Sequence, residues 1–360
     1  MRRPEQDRLA RLRQSMSENK LDSLLVIRRE DVRYLSGFTG SSGSLLVSST
    51  RSCLITDFRY NVQARKETTG IAILIQKKDH FTAVRDAGER MGVDTLWFDE
   101  SALTVEGLKN LKKKGFKLKG HADLIKTLRQ QKDKEELANI RMAVRRAEEA
   151  FLALKAEIKP GATEQGLGSK LEFLMREKGS RKGAFDTIVA SGDNGAMPHA
   201  SVTNRRIKKG DMVTFDFGAE ANGYYSDITR TFCVGRPSAR QREIHDLVLQ
   251  AQSAAVRSIS IGVPCKSVDS AAREVIKRAG HGMHFGHGTG HGIGLMVHEG
   301  PSVSPLSHDI VEEDMVFTVE PGVYIPGWGG VRIEDMVLVT EKGVKVLTTL
   351  PRELESLKSL

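Results

Sequence analysis

The sequence predicts a mixed α/β (α+β) protein of two domains, and three observations predict it. The chain has 360 residues, long for a single core. Its first third alternates short apolar runs with helix-like stretches, and a charged break at 130–137 then gives way to long amphipathic segments and paired strands. We place a small α/β domain at 1–132 and a larger domain at 133–360. With 39% hydrophobic and 28% charged residues, the composition is that of an ordinary globular protein. No apolar run approaches the roughly 18 residues of a membrane span, so no membrane partner is expected.

Taken in order, "MRRPEQDRLARLRQSMSENK" is charged throughout and lacks the apolar stretch of a secretory signal, while Leu9, Leu12 and Met16 predict a short amphipathic helix. From 23 to 129, "SLLVI", "GSLLVSS", "SCLITDF" and "IAILI" read as strands. The densest basic run, "LKNLKKKGFKLKG" at 108–120, reads as a solvated helix face followed by a turn. Although the net charge is +9, that run has one aromatic residue, Phe116, and no nucleic-acid motif, so no nucleic-acid partner is expected. A helix over 134–158 follows the charged hinge, with Leu137, Ile140, Ala147, Phe151 and Ile158 on one stripe and "KPG" stopping it. "RRIKKGD" at 205–211 reads as a polar turn before a strand. Another helix starts at Ser238, where Ser238 and Gln241 form a capping box. Cys53, Cys233 and Cys265 are odd in number and form no CxxC pair, which fits free thiols in a reducing compartment and a cytoplasmic location.

The segment "FGHGTGHGIGLMVHEG" at 285–300 places glycine at every second position from Gly286 to Gly294, with histidines at 287, 291 and 298. Five glycines cost a helix about 4 to 5 kcal/mol relative to alanine, so a helix is not expected despite the His287 to His291 spacing. As extended chain, period two puts Phe285, His287, Thr289, His291 and Ile293 on one face and bare backbone on the other, open to close approach by another chain or a ligand. The competing account is a glycine-rich loop whose histidines only hydrogen-bond.

Two hairpins supply acids. In "VTFDFGAEANGYYSDITRTF", strand-like runs flank "AEANG". A turn centred between Ala221 and Asn222 opposes Asp216 to Asp227; the tight Asn222-Gly223 turn makes them diagonal neighbours. Both registers keep them on one face. The second hairpin runs from "MVFTVE" through "PGWGG" to "VRIEDMVLV", and a centre near Gly327 or Trp328 puts Glu320 and Glu334 on one face. Like charges so placed repel, so something positive belongs between them. For each pair that could be an arginine, with Arg230 and Arg332 close in sequence. Two such pairs plus an imidazole loop point instead to divalent cations, which would neutralise all four carboxylates. Oxygen donors with one imidazole suit Mn, Co, Fe or Zn in a catalytic setting, and the absence of thiolates argues against structural zinc. Two ions about 3.5 to 4 Å apart can share a water, lower its pKa and polarise a carbonyl, which points to hydrolysis.

In this order, "DFGAEANGYYSDITRTF", "GHGTGHGIGLMVHEGP", "FTVEPGVY" and "GVRIEDMVLVT" resemble the pita-bread metallopeptidases, the group of methionine aminopeptidases, prolidases and Xaa-Pro aminopeptidases. "VRYLSGFTGSSGSLLV" and "LITDFRYNVQA" are similar to the N-terminal domain of creatinases, prolidases and Xaa-Pro aminopeptidases, so the resemblance spans nearly the whole chain. It implies a pita-bread catalytic domain holding two metal ions, Mn(II) first and Co(II), Zn(II) or Fe(II) next, on Asp216, Asp227, His291, Glu320 and Glu334. "VASGDNGAMPHA" matches a segment that supplies a substrate-facing histidine, here His199. His298 matches a histidine near the scissile bond, and His287 one that lines the pocket.

The activity so implied is hydrolysis of the N-terminal Xaa-Pro bond of a peptide with proline at its second position, by a homodimer. Glu320 would shuttle the proton and His298 would steady the oxyanion. The substrate amine would bind a metal or Asp227. Arg332 either orients ligands from behind or is an exposed sheet arginine, and His199 and His287 could be pocket histidines with no catalytic part. An Xaa-Pro aminopeptidase is the first reading and an Xaa-Pro dipeptidase (prolidase) the alternative. Creatinase works without the metal pair, so the complete ligand set argues against that activity, while non-peptide amide hydrolysis on the same scaffold stands as a third reading, separated by assaying Xaa-Pro peptides beside creatine-like substrates. A non-catalytic binding protein on the same fold would need a damaged ligand set.

Overall fold

The computed structural model describes residues 3–121 and 124–357. The chain forms two compact units, Met1–Arg129 and Gln130–Leu360. The sequence-based division at 132/133 falls inside the second unit: Gln131 bridges to Met315 and the Lys132 amide donates to the Asp314 carbonyl, tying the charged segment to the larger unit.

In the first unit, β1 (Ser23–Val26), β2 (Ser44–Ser48), β3 (Ser52–Thr56), β4 (Ala72–Ile75), β5 (Thr95–Asp99) and β6 (Lys117–His121) form one sheet in the order β4-β3-β2-β1-β5-β6. The centre is antiparallel and the flanks parallel. β1 to β3 are buried at every residue, which is why they read as unbroken apolar runs. Helix Pro4–Glu18 buries Leu9, Leu12 and Met16 as its spacing predicts. The basic run is more than a helix face and a turn. After helix Val105–Lys112, its last residues form the edge strand β6, where the exposed Lys117 and Lys119 suit an outer strand that must not recruit another.

The second unit opens with helix Lys134–Leu154, started by a capping box between Asp133 and Glu136 and finished by a 3-10 turn over Lys155–Glu157. Next come β7 (Ile188–Ser191), β8 (Met212–Phe217), β9 (Glu220–Ala221), β10 (Tyr224–Tyr225) and β11 (Ile228–Val234), with β8 antiparallel between β7 and β11. Phe151 of the helix stacks on Phe217 and Phe232, with ring centroids 5.1 and 5.3 Å away, and meets Phe215 edge-on. Because strand side chains alternate, docking those phenylalanines turns Thr214, Asp216, Thr229 and Thr231 to the opposite face. Asn222 and Gly223 both have positive φ, 47° and 79°, and Ala221 pairs with Tyr224, so the turn is the tight one. Asp216 therefore faces Thr229, with Asp227 on the diagonal.

β12 (Gly290–Gly292), β13 (Glu299–Val303), β14 (Val316–Val319), β15 (Gly322–Ile325), β16 (Gly329–Arg332), β17 (Asp335–Thr340) and β18 (Gly343–Val346) complete the unit. β14 pairs with β17 and β15 with β16 in one continuing register, whose tip is Gly327 at φ 72°. That register carries Glu320 opposite Glu334 where the paired strands are interrupted. Helix Ala239–Ser258, begun by the Ser238/Gln241 capping box, and helix Cys265–Arg278 contribute Ile244, Val248, Val268, Ala272 and Ile276 to a core shared with Phe317, Val319 and Val337.

Candidate metal centre

The glycine-rich loop is extended only over Gly290–Gly292, where β12 lies between β13 and β14. A Cβ on Gly290 would stand 1.9 Å from the Thr318 carbonyl oxygen, and one on Gly292 would stand 1.8 Å from that of Gly300. The glycines thus serve the close backbone approach that the sequence pointed to. The expected single face does not extend along the whole loop. Phe285 enters the hydrophobic core and the buried Thr289 bonds to Asp269, while His287 and His291 reach the cavity. A 3-10 turn at Gly282–His284 ends the alternation on the N-terminal side.

The structure gathers the acids around His291. Asp227, His291 and Glu334 each offer a ligand atom, all within 4.8 Å of one another. His291 Nε2 lies 3.6 Å from Asp227 Oδ2 and 3.3 Å from Glu320 Oε1. Its Nδ1 lies 3.1 Å from the Gly292 carbonyl oxygen. A carbonyl only accepts, so this contact places a proton on Nδ1 and leaves Nε2 as the nitrogen that faces the carboxylates, the one available to an ion once its own proton has gone. Asp216 accepts from Arg332 Nη2 at 2.7 Å, and Glu334 accepts from the Thr229 hydroxyl at 2.7 Å. Each keeps one buried oxygen without a hydrogen-bond partner, Oδ1 of Asp216 and Oε1 of Glu334. Orphaned anionic oxygens in a closed cluster fit hard or borderline divalent cations.

The electrostatics agree. Burial, and then the charges of Glu334, Asp216 and Glu320, push the Asp227 carboxyl well above its ordinary value; burial, Glu320 and Asp216 do the same to Glu334. Burial also works against charge on Glu320, but the hydrogen bond and charge of His291 outweigh it and hold that carboxyl low. On His291, burial favours the neutral ring, and the bond to Glu320 more than offsets it and raises the pKa. The cluster demands more positive charge than one arginine and one imidazole provide.

Of the two sequence-adjacent arginines, Arg230 pairs with Asp335 at 2.7 Å and donates to the main-chain carbonyls of Thr229 and Glu334, so its charge goes to Asp335 and not to a carboxylate of either acid pair. Arg332 is no exposed sheet residue. It is 4% exposed, and besides Asp216 it donates to Tyr324 Oη at 2.9 Å, Thr229 Oγ1 at 3.1 Å and the Pro198 carbonyl at 3.2 Å. Tyr324 in turn lies 2.9 Å from His287 Nε2, whose Nδ1 meets the Gly288 carbonyl at 2.7 Å. Burial lowers the His287 pKa, so the ring is neutral at pH 7, with Nδ1 protonated and Nε2 accepting from the phenol.

A cavity of about 770 Å³ opens over the cluster. Asp216, Asp227, His291, Glu320 and Arg332 line it together with His199, His287 and His298, while Glu334 is 1% exposed and is not part of the lining. The His298 ring lies 4.3 Å from the His291 ring, and desolvation followed by the His291 charge lowers its pKa. His199 is exposed at the cavity wall, on a segment fixed by Glu164, whose buried carboxylate accepts from Ser191, Asn194 and Thr203. Tyr324, Thr229 and Glu164 are absent from the sequence reading. Thr229 and Glu164 act through partners remote in sequence, and Tyr324 acts by joining the distant His287 to Arg332 across its own hairpin, so nothing local marks any of the three.

Two family models match the chain: "Creatinase/Prolidase N-terminal domain" over residues 8–131 and "Metallopeptidase family M24" over residues 138–341. An Xaa-Pro dipeptidase of Pyrococcus furiosus is 40% identical over 352 residues, covering 97% of this chain and 99% of the relative. Among solved structures, an Xaa-Pro dipeptidase from Bacillus anthracis is 38% identical with a TM-score of 0.94 and covers 98% of this chain and 99% of that one. An X-Pro aminopeptidase from Thermotoga maritima is 38% identical with a TM-score of 0.89, at 96% and 98% coverage. Among the described residues no helix is long and apolar enough to cross a membrane.

Proposed function

The chain belongs to metallopeptidase family M24, with a creatinase/prolidase N-terminal domain before its pita-bread domain, and from that premise we propose that it hydrolyses the peptide bond preceding proline in Xaa-Pro substrates, dipeptides first. The observation that carries this reading is the convergence of Asp227, His291 and Glu334, with Asp216 and Glu320 beside them, beneath a cavity of substrate size. The sequence alone puts an aminopeptidase ahead of a dipeptidase; the names carried by the relatives favour the dipeptidase.

In this reading the five residues hold two divalent cations, Mn(II) first, whose chemistry is Lewis acidity toward water and the scissile carbonyl. Glu320 takes the proton from the attacking water, whose oxygen bonds to the carbonyl carbon, and delivers it to the proline nitrogen as the C–N bond breaks. His298 offers an N–H donor to the carbonyl oxygen as charge develops there. Arg332 keeps Asp216 aimed at the cluster and leaves its second oxygen free to bind. His199 and His287 flank the substrate, His287 fixed by Tyr324.

One observation favours the aminopeptidase. Among the described residues that line the cavity, Arg332 is the one guanidinium and is committed to Asp216 and Tyr324, none is a lysine, and Glu172 and Asp186 stand on the wall. A dipeptide's free prolyl carboxylate meets no uncommitted arginine or lysine there, whereas a third residue would replace that carboxylate by a neutral amide. Comparing kcat/KM for Xaa-Pro and Xaa-Pro-Yaa decides the order. Exhaustive chelation followed by Mn(II) tests the common reading: hydrolysis should vanish and return, and full activity after chelation would overturn it.

A further inference from the structure

The glycine-rich loop cannot hold its own shape. Gly286, Gly288 and Gly290 alternate with His287 and Thr289, and each glycine brings backbone freedom that folding must remove. What fixes the loop is an acid and a base one turn apart on helix Cys265–Arg278. Asp269, 1% exposed, accepts from Arg273 Nε at 2.9 Å and Nη2 at 2.8 Å, and from the Thr289 amide at 3.1 Å and hydroxyl at 2.8 Å. Arg273 donates onward from Nη1 to the Phe285 carbonyl at 2.9 Å and from Nη2 to the His287 carbonyl at 2.8 Å. Its guanidinium carbon lies 4.3 Å from the centre of the Phe285 ring. Residues 285, 287 and 289 are thus gripped in turn, by bonds to main chain and one hydroxyl.

We propose that Asp269 and Arg273 are the positioning pair of the metal centre, setting its two sides through the loop they hold. One route is direct: the Thr289 carbonyl accepts from the Glu320 amide at 2.7 Å. The other runs from His287 to Tyr324 Oη at 2.9 Å, to Arg332 at 2.9 Å and to Asp216 at 2.7 Å. Neither Asp269 nor Arg273 lines the cavity, so neither touches substrate. The pair does more than an ordinary helix ion pair, which contributes little, because its remaining hydrogen-bonding capacity goes to the loop.

The consequence for catalysis rests on the metallopeptidase reading; the consequence for the loop rests on the geometry alone. The test uses the full chain with Arg273→Lys, Thr289→Val and Thr289→Ser. It reads hydrogen exchange of the 285–291 amides, Mn(II) affinity by calorimetry, and kcat and KM on an Xaa-Pro peptide. Lysine keeps the charge but not the fork, and valine keeps the shape but not the hydroxyl. Arg273→Lys and Thr289→Val should speed exchange in the loop, weaken Mn(II) binding about 10- to 100-fold and lower kcat more than they raise KM, while Thr289→Ser stays close to the parent. Folded Arg273→Lys and Thr289→Val variants with parental exchange and Mn(II) affinity would overturn the proposal, as would a lowered melting temperature with nothing else changed. If the parent cleaves no Xaa-Pro peptide, the functional reading fails, and exchange and Mn(II) binding still decide the role of the pair.

Discussion

The two acidic hairpins answer one electrostatic problem by different means. In the first, a tight Asn222-Gly223 turn sets Asp216 and Asp227 on a diagonal, unbroken pairing continues through Asp216, and the guanidinium of Arg332 reaches across from the other hairpin to take one oxygen. In the second, pairing lapses between β14 and β15 and between β16 and β17, where Glu320 and Glu334 stand opposed; one acid leans on His291 and the other on the Thr229 hydroxyl of the first hairpin. The first hairpin spreads its charges and borrows a permanent cation. The second brings its charges together and relies on groups that yield to an incoming ion. Each hairpin is therefore incomplete without the other, which is why neither could be read as a site by itself.

That contrast can be broken in four ways, from the largest effect to the smallest. His291→Ala removes the imidazole that faces both hairpins, and kcat/KM on an Xaa-Pro peptide should fall about a thousandfold, equivalent to several kcal/mol of lost electrostatic stabilisation. Arg332→Lys keeps a charge beside the first hairpin but loses the fork that serves Asp216, Tyr324 and Thr229 together; a loss of about 10- to 100-fold is expected, with Mn(II) affinity falling in parallel. An unchanged affinity would mean that Asp216 needs no such guide.

His245 supplies the contrast of a polar group neutralised chiefly by burial, with the charge of Arg230 acting in the same direction. It is 1% exposed, both ring nitrogens lack partners, and burial lowers its pKa to about 4. Because the folded value lies below the unfolded one, the unfolded chain binds the extra proton first. The stability linked to this ring is complete above about pH 6.5 and is lost as pH falls toward 4, by about 3 kcal/mol at most. Denaturant titrations of His245→Leu should show a shallower acid loss over that window, with kcat unchanged at pH 7. An acid slope equal to the parent's would show that the ring does not titrate on unfolding. The smallest effect belongs to the turn. Asn222→Ala places a residue without a side-chain amide at φ 47°, costing about 1 kcal/mol and lowering the melting temperature by a few degrees, with kinetics unaltered.

Much of this architecture was legible because its determinants are local. The strands β1 to β3 are buried on both faces and so read as apolar runs, the capping box at Ser238 marks its helix, and period two alone puts each acid pair on one face. The Asn222-Gly223 register stayed open because side-chain parity is the same for both turns considered. β5 and β6 escaped notice since "TLWFD" is short and half-buried and "KLKGH" carries the lysines of an edge. The part played by Arg332 was undecidable from its strand, as burial depends on partners more than a hundred residues away. Asp269 and Arg273 in "CKSVDSAAREV" look like any helical ion pair until the loop that they hold is folded against them.

The bare positions at Gly290 and Gly292 act as a gauge. With the Thr318 and Gly300 carbonyls set where even one methyl group would collide, the spacing between neighbouring main chains is contact-limited, and it sets how far His291 stands from the strand that leads to Glu320. A lineage exploring substitutions at 290 or 292 would have to move β14 or the β13 start first, and the dimensions of the whole centre with them. Tuning of ion preference in this chain is thus open to side chains and their partners, and closed to these two positions.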